Sequence, residues 1–376
     1  MEEKMILGHF KEVVANSLDY LRERKSRSGT KIIGYFCTYT PEEILHAAGF
    51  LPVRILGSPT SISLAARHLQ SYSCSLVQSS LETALRGDLS FLDGTVFPHT
   101  CDSIQRLSDI WAENLRFPFH WDVVLPVKLH TASARTYLIQ ELKRFRKGLE
   151  EFSGQPITDD ALKISISLFN KNRSLLRELY RRRSENPERY SPGEILAIVQ
   201  SATFMPKDQH NRQLTELLKS GKRDGRSPGD KMRLFIAGSV CNHSQVFDLF
   251  ENSGAYVVGD DLCTGWRYFS EDAPEEGDPI EALADRLIRR VPCPCKHNPR
   301  IDRAEDLLKR VGETRARGVI FLLLKFCDPH AFDYPYLKEK LAEKKIPSLV
   351  LEIEPGSMPI GALETRLKAF IETLGG

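Results

Sequence analysis

The chain has 376 residues, 41% hydrophobic and 27% charged, a globular composition with room for two or three domain cores. Lys+Arg (52) nearly balances Asp+Glu (50), so a net charge of +2 gives no global pull toward nucleic acid. No apolar run approaches the roughly 18 residues of a membrane span, and the charged start MEEKMILGHFKEVV lacks a secretory pattern, so the reducing cytoplasm is the expected compartment.

Residues 1–133 alternate strand and helix patterns. Lys31 to Phe36 reads as a strand followed at once by Cys37. Thr40-Pro41-Glu42-Glu43 predicts a helix start, with Thr40 as N-cap and Glu43 completing a capping box. Gly49 closes that helix and Leu51 to Leu56 is the next strand. Ser71 to Leu85 is expected to be helical and to carry Cys74. Gly94 to His99 is a strand that leads to Cys101, then to a helix capped by Asp102. Trp121 to Val127 is a further strand.

From residue 134 to 218 the period becomes helical, with Leu138, Leu142, Phe145, Leu149 and Phe152 on one face. Ser191-Pro192-Gly193-Glu194 is a second capping-box pattern. This cysteine-free block reads as a helical packing layer, and the polar, Gly-rich 219–231 as a linker. Residues 232–376 return to alternation. Arg233 to Gly238 ends near Cys241, and Ala255 to Gly259 runs into Asp260-Asp261 and Cys263. A helix from Pro279 to Arg290, capped by Asp278, delivers the chain to Cys293-Pro294-Cys295. Val319 to Leu324 is an unbroken apolar run, the signature of a strand buried on both faces, and ends at Cys327 before Asp328-Pro329 opens a helix. A strand at Ile346 to Ile353 and a helix at Ala362 to Leu374 close the chain. The expected fold class is α/β: two Rossmann-like parallel-sheet domains with a helical segment between them and a metal cluster in the interdomain cleft.

Eight cysteines in a cytosolic chain favour metal or redox roles over disulfides. Five of them (Cys37, Cys101, Cys241, Cys263 and Cys327) fall at or just beyond predicted strand C-termini, the edge at which doubly wound sheets bind ligands. Helix N-termini beside them favour the thiolate and offer free N–H groups to an anionic cluster. Thiolates select zinc, copper(I) or iron–sulfur centres. The single tight pair, Cys293 and Cys295 with His297 nearby, is a local zinc candidate; dispersed cysteines suit a larger cluster. Glu43 is a candidate proton shuttle, although the capping box accounts for it without catalysis. His99, His297 and His330 stand beside cluster cysteines as polar neighbours. Arg181 to Arg183 and the KRFRK run from Lys143 to Lys147 read as solvated helix faces.

Taken together, GYFCTYTPEEILHAAGFLPVRI, HTCDSIQRLSDIW, GDDLCTGWRY, PCPCKH and LLLKFCDPHAFDYPYLKEKL with IPSLVLEIE resemble the 2-hydroxyacyl-CoA dehydratase and benzoyl-CoA reductase subunits, in order and over nearly the whole chain. The resemblance implies a dimer, with a paralogous second subunit or a second copy, whose subunits each hold a 4Fe–4S cluster through three cysteines. Matched by motif these are Cys74, Cys101 and Cys327. It implies an open iron acting on an acyl-CoA thioester, one-electron reduction to a ketyl radical anion, and electrons from a separate ATP-hydrolysing iron–sulfur activator. No G-x-x-x-x-G-K-[ST] loop is present in this chain, so ATP belongs with that partner. Cys37, Cys263 and Cys295 match a related branch, the double-cubane-cluster reductases, in which six thiolates hold an 8Fe–9S cluster in a homodimer. Neither scheme assigns Cys241 or Cys293. A non-catalytic, zinc-stabilised α/β binding protein is the reading from a different class.

Overall fold

The computed structural model describes residues 2–57, 61–220, 231–354 and 359–375. Eight strands form two four-stranded sheets: β1 (Ile32–Tyr35), β2 (Leu51–Arg54), β3 (Gly94–Pro98) and β4 (Phe119–Val123) in the first, and β5 (Met232–Gly238), β6 (Ala255–Asp261), β7 (Gly318–Leu324) and β8 (Ser348–Ile353) in the second. All pairings are parallel, and the orders are β2-β1-β3-β4 and β6-β5-β7-β8. The two sheets therefore share one topology. In each the chain reverses direction after its second strand and crosses to the other side of the first, so switch points lie between β1 and β3 and between β5 and β7.

Period-two alternation sends neighbouring residues to different cores. Ile32 faces a core that continues into Leu234, Ile236 and Ile320 of the second sheet, while Ile33 and Tyr35 face the helix Ala132–Ser153. Phe235 and Ala237 point to a third core against the helix Arg303–Glu313. All seven residues of β7 are buried, as its unbroken apolar run predicts.

The middle block is four helices, Ala132–Ser153, Asp159–Glu185, Pro192–Ser201 and Lys207–Lys219. The capping box at Ser191 and Glu194 is present. The 27-residue helix Asp159–Glu185 ties both halves together: Arg173 pairs with Glu43, and Tyr180 and Arg183 bind Asp260 at the end of β6. The helix Pro279–Arg289, capped by Asp278 as expected, packs back on Ala132–Ser153 through Arg135, which binds Glu281 and Asp285. Most of the linker expected at 219–231 lies outside the described residues.

Three local expectations are corrected. The helix after β1 is Glu42–Ala47 with Pro41 at its N-cap, and the Thr40 hydroxyl has no hydrogen-bond partner among the described residues. The Glu43 carboxylate goes to Arg173 instead of back to Thr40, because a buried charge needs a countercharge more than a helix end needs a second acceptor. Cys74 does not lie inside its helix, which spans Ser75–Leu85; it is the N-cap, with extended φ/ψ of −64°/150°. Likewise Cys101, not Asp102, caps Asp102–Asn114.

Candidate metal centre at the facing sheet edges

The C-terminal edges of the two sheets adjoin. Arg54, the last residue of β2, donates to the Cys263 carbonyl beyond β6 at 2.8 Å, and Asn242 beyond β5 donates to the Leu56 carbonyl at 3.3 Å. Cysteines that follow different strands thus reach one cleft. Cys101 lies within electrostatic reach of Cys74, Cys293 and Cys37, and Cys327 within reach of Cys74, Cys293 and Cys263. The Cys293 thiol lies close to those of both Cys263 and Cys295. Seven of the eight cysteines form one connected group, and all eight are free thiols.

Cys74, Cys101 and Cys327 share a local placement. Each is the N-cap of a helix, where Ser, Thr, Asp or Asn would ordinarily accept an orphan N–H. N–H groups of the first turn face the sulfurs: Leu76 and Val77 at Cys74, Ile104 at Cys101 and His330 at Cys327. The sequence expectation that these N–H groups favour the thiolate is outweighed in the folded chain. Burial raises all three thiols, and their mutual proximity raises Cys101 and Cys327 further.

Cations surround the thiols. Arg267, 1% exposed, lies 3.4 Å from Asp261 and bonds the Gly238 carbonyl and Nε2 of His330. Lys296 sits between the chain segments of Cys37, Cys101, Cys293 and Cys295, and its ammonium donates only to the carbonyls of His99 and Leu125. Arg290 donates to the Thr38 carbonyl and hydroxyl and to the Arg267 carbonyl. Arg54, Arg290 and Lys296 are each at most 5% exposed, and none has a carboxylate within ion-pair distance among the described residues. Buried cations without countercharge are costly. Anionic sulfur ligands in the same cleft would supply that countercharge.

Other expected residues are placed as follows. Cys241 is fully buried in the core, pushed up to about 12 by burial, and its backbone exchanges hydrogen bonds with the Thr264 hydroxyl, which steadies the Cys263 loop. His330 is buried with Nδ1 3.3 Å from Cys327 Sγ. His99 lies 3.1 Å from Asp122. His297 stands edge-on to His130, with ring centroids 5.8 Å apart, and no three His, Cys, Asp or Glu side chains among the described residues are gathered to hold a single metal ion. The local zinc trio of Cys293, Cys295 and His297 is therefore not assembled. Glu43 is 1% exposed, and although burial opposes its charge, Arg173 and Arg286 hold its carboxyl below the usual range. Of the arginine run, Arg181 is a solvated residue paired with Glu178 and Glu185, whereas Arg183 is buried on Asp260.

Sequence reasoning gave no place to Arg54, Arg267, Arg290 or Lys296, and placed Cys293 only in the local zinc trio. Two of them carried a usable signal: Arg54 ends a strand, as the cysteines do, and Lys296 follows Cys295 directly. Arg267 and Arg290 reach the cleft only through tertiary packing. On the outer side of Arg54 a cavity of about 710 Å³ opens, walled by Val53, Ile55, Leu56, Leu92 and Phe204.

Two doubly wound parallel sheets that meet at a thiol-lined, cation-rimmed cleft define the α/β class of this protein. Residues 37–374 match the family described as 2-hydroxyglutaryl-CoA dehydratase, D-component, and the chain belongs to that family of enzyme subunits. It is 30% identical to a benzoyl-CoA reductase subunit of Thauera aromatica over 96% of both chains. It is 29% identical to the (R)-phenyllactyl-CoA dehydratase beta subunit of Clostridium sporogenes over 97% of both, and 28% identical to the beta subunit of (R)-2-hydroxyglutaryl-CoA dehydratase of Acidaminococcus fermentans over 98% of this chain and 99% of that one. No helix among the described residues is long and apolar enough to cross a membrane.

Proposed function

We propose that this chain is the iron–sulfur subunit of an enzyme of the 2-hydroxyacyl-CoA dehydratase and benzoyl-CoA reductase type, holding a 4Fe–4S cluster through Cys74, Cys101 and Cys327. The observation that carries the reading is the convergence of three N-cap cysteines, each on its own helix, in a cleft where buried Arg54, Arg290 and Lys296 have no carboxylate within ion-pair distance among the described residues. When bound, a cluster with three protein ligands supplies a low-potential electron and an open iron that acts as a Lewis acid on a thioester carbonyl. Arg54, Arg267 and Lys296 offset the charge of the thiolates. The helix N-termini direct N–H groups at the sulfurs, and His330 orients Cys327. Glu43 is committed to Arg173 and positions its helix. The cavity beyond Arg54 is mixed, apolar at Val53, Ile55, Leu92 and Phe204 and polar at Asn16, Gln200 and Asp248, and its apolar part suits an acyl group.

Relatives that are themselves named as subunits, two of them as beta subunits, support a partner subunit for this chain. Electrons come, in this reading, from a separate ATP-hydrolysing activator. A double-cubane cluster is a second reading, favoured by one observation: Cys37, Cys263, Cys293 and Cys295 belong to the same connected group of thiols. Anaerobic purification followed by iron, sulfide and zinc counts separates the two. About four irons per chain support the first reading and about eight the second; zinc without iron overturns both.

A further inference from the structure

A second cavity, of about 660 Å³, lies beside the edge strand β6, and arginines dominate its lining. Arg177 and Arg181 there are spent on carboxylates: Arg177 on Asp272, Arg181 on Glu178 and Glu185. Three others are not. Arg233 donates to the carbonyls of Ser184 and Thr314 at 2.7 and 2.6 Å. Arg310 spends Nη2 on the Asp260 carbonyl at 2.6 Å, while its Nη1 is buried with no partner. Arg315 is exposed, held at a φ of 53°, and within electrostatic reach of Arg233. None of the three has a carboxylate within ion-pair distance among the described residues. Arg233 and Arg315 repel each other, Arg310 is offset only from a distance by Asp260, Asp261 and Asp306, and the guanidinium fork matches phosphate oxygens two at a time.

Aromatic side chains adjoin these arginines. The Arg310 guanidinium lies 4.1 Å over the Trp266 ring, Tyr180 stands 6.3 Å from that ring, and Trp266 keeps part of its surface open to the cavity. A lone phosphate needs no such neighbours, and the volume is that of an organic ligand. We propose that this cavity binds a phosphorylated nucleoside, its phosphates on Arg233, Arg310 and Arg315 and its ring against Trp266. Two sources share this chemistry, the ADP end of a CoA thioester and free ADP. The CoA source rests on the proposed thioester function and the ADP source does not. The cavity adjoins the Cys263 loop, because its lining residues Trp266 and Tyr180 donate to Asp260, three residues before that cysteine, at 3.0 and 2.6 Å.

The test is calorimetric titration of the anaerobically purified full chain with CoA, ADP, adenosine and inorganic phosphate. CoA or ADP binds, adenosine and phosphate bind at least about tenfold more weakly, and Arg315→Glu and Arg233→Gln each weaken binding about tenfold or more. Arg315 is exposed, so its variant is expected to keep the melting temperature and the iron content of the parent. CoA binding about tenfold tighter than ADP identifies the thioester source, and equal binding the free nucleotide. The proposal is overturned if neither CoA nor ADP binds at millimolar concentration, if Arg315→Glu binds as the parent does, or if phosphate alone binds as tightly as ADP. An iron-free chain that still binds ADP would overturn the iron–sulfur reading and leave this one standing.

Discussion

Nδ1 of His330 lies 3.3 Å from Sγ of Cys327, and Nε2 of the same ring lies 3.1 Å from both terminal nitrogens of Arg267. A guanidinium only donates, so Nε2 is the acceptor and the ring proton sits on Nδ1, aimed at the sulfur. Burial, with Arg267 and Arg303 close by, holds the imidazole well below its usual range and keeps it neutral. His330→Ala is expected to weaken cluster retention about 10–100-fold, as loss of an outer partner of a metal ligand does, and to make the cluster harder to reduce. Iron remaining after chelator competition, together with the midpoint potential, checks this. Parent-like values for both would show that His330 is only a packing residue.

Gly265 has a φ of −139°, so a left-handed turn is not what requires glycine there. The requirement is close approach: a Cβ at 265 would lie 2.0 Å from Oδ1 of Asp260. Gly265→Ala should displace Asp260 from Trp266 N and the Tyr180 hydroxyl, at a cost of about 1–3 kcal/mol. Urea unfolding of the variant measures it, and an unchanged midpoint would mean the loop yields freely.

Glu43 and Arg173 are a buried pair, 1% and 4% exposed. Glu43→Ala strands the arginine and should cost about 3–5 kcal/mol, whereas Glu43→Leu combined with Arg173→Met should recover most of that. Because the Glu43 carboxyl is held below its ordinary range, its contribution is present above the unfolded value near 4.5 and is lost as pH falls below that. A double-mutant cycle with no coupling would remove the positioning role given to Glu43. Full folding of Glu43→Gln with abolished turnover would point to the proton shuttle instead.

His210 gives a second pH signature. Its Nε2–H donates to the Ile198 carbonyl at 2.9 Å and its Nδ1 accepts from Asn172 at 2.8 Å, so the buried ring is neutral and satisfied. Burial lowers it to about 3 from an ordinary 6.5. Between those values the unfolded chain binds the extra proton, and stability falls as pH falls, by up to about 1.4 kcal/mol per pH unit. His210→Asn should flatten this slope in denaturant titrations from pH 6.5 to 5. An unchanged slope would assign it to other groups.

Much of this was legible because two rules are strong. Apolar runs bounded by turn residues marked the eight strands of the described residues, and strand C-termini were the basis for expecting Cys37, Cys101, Cys263 and Cys327 near one edge. Local chemistry read alone was weaker. Thr40 and Glu43 have the spacing of a capping box, yet an arginine 130 residues away claimed the carboxylate. Helix N-termini favour thiolates in isolation, but burial of several thiols together reverses the sign. Arg267 and Arg290 were invisible for the same reason: their roles arise from the segment that follows β6 crossing back to the first half of the chain, which no local pattern encodes.

The central claim is that Cys74, Cys101 and Cys327 hold one cluster between the two sheets. Its most direct test is the iron count and low-temperature EPR spectrum of the dithionite-reduced, anaerobically purified chain, compared with the three single cysteine-to-alanine variants. About four irons per parent chain, falling toward zero in each variant while the fold is kept, is the predicted result. Iron unchanged by all three substitutions would contradict the account.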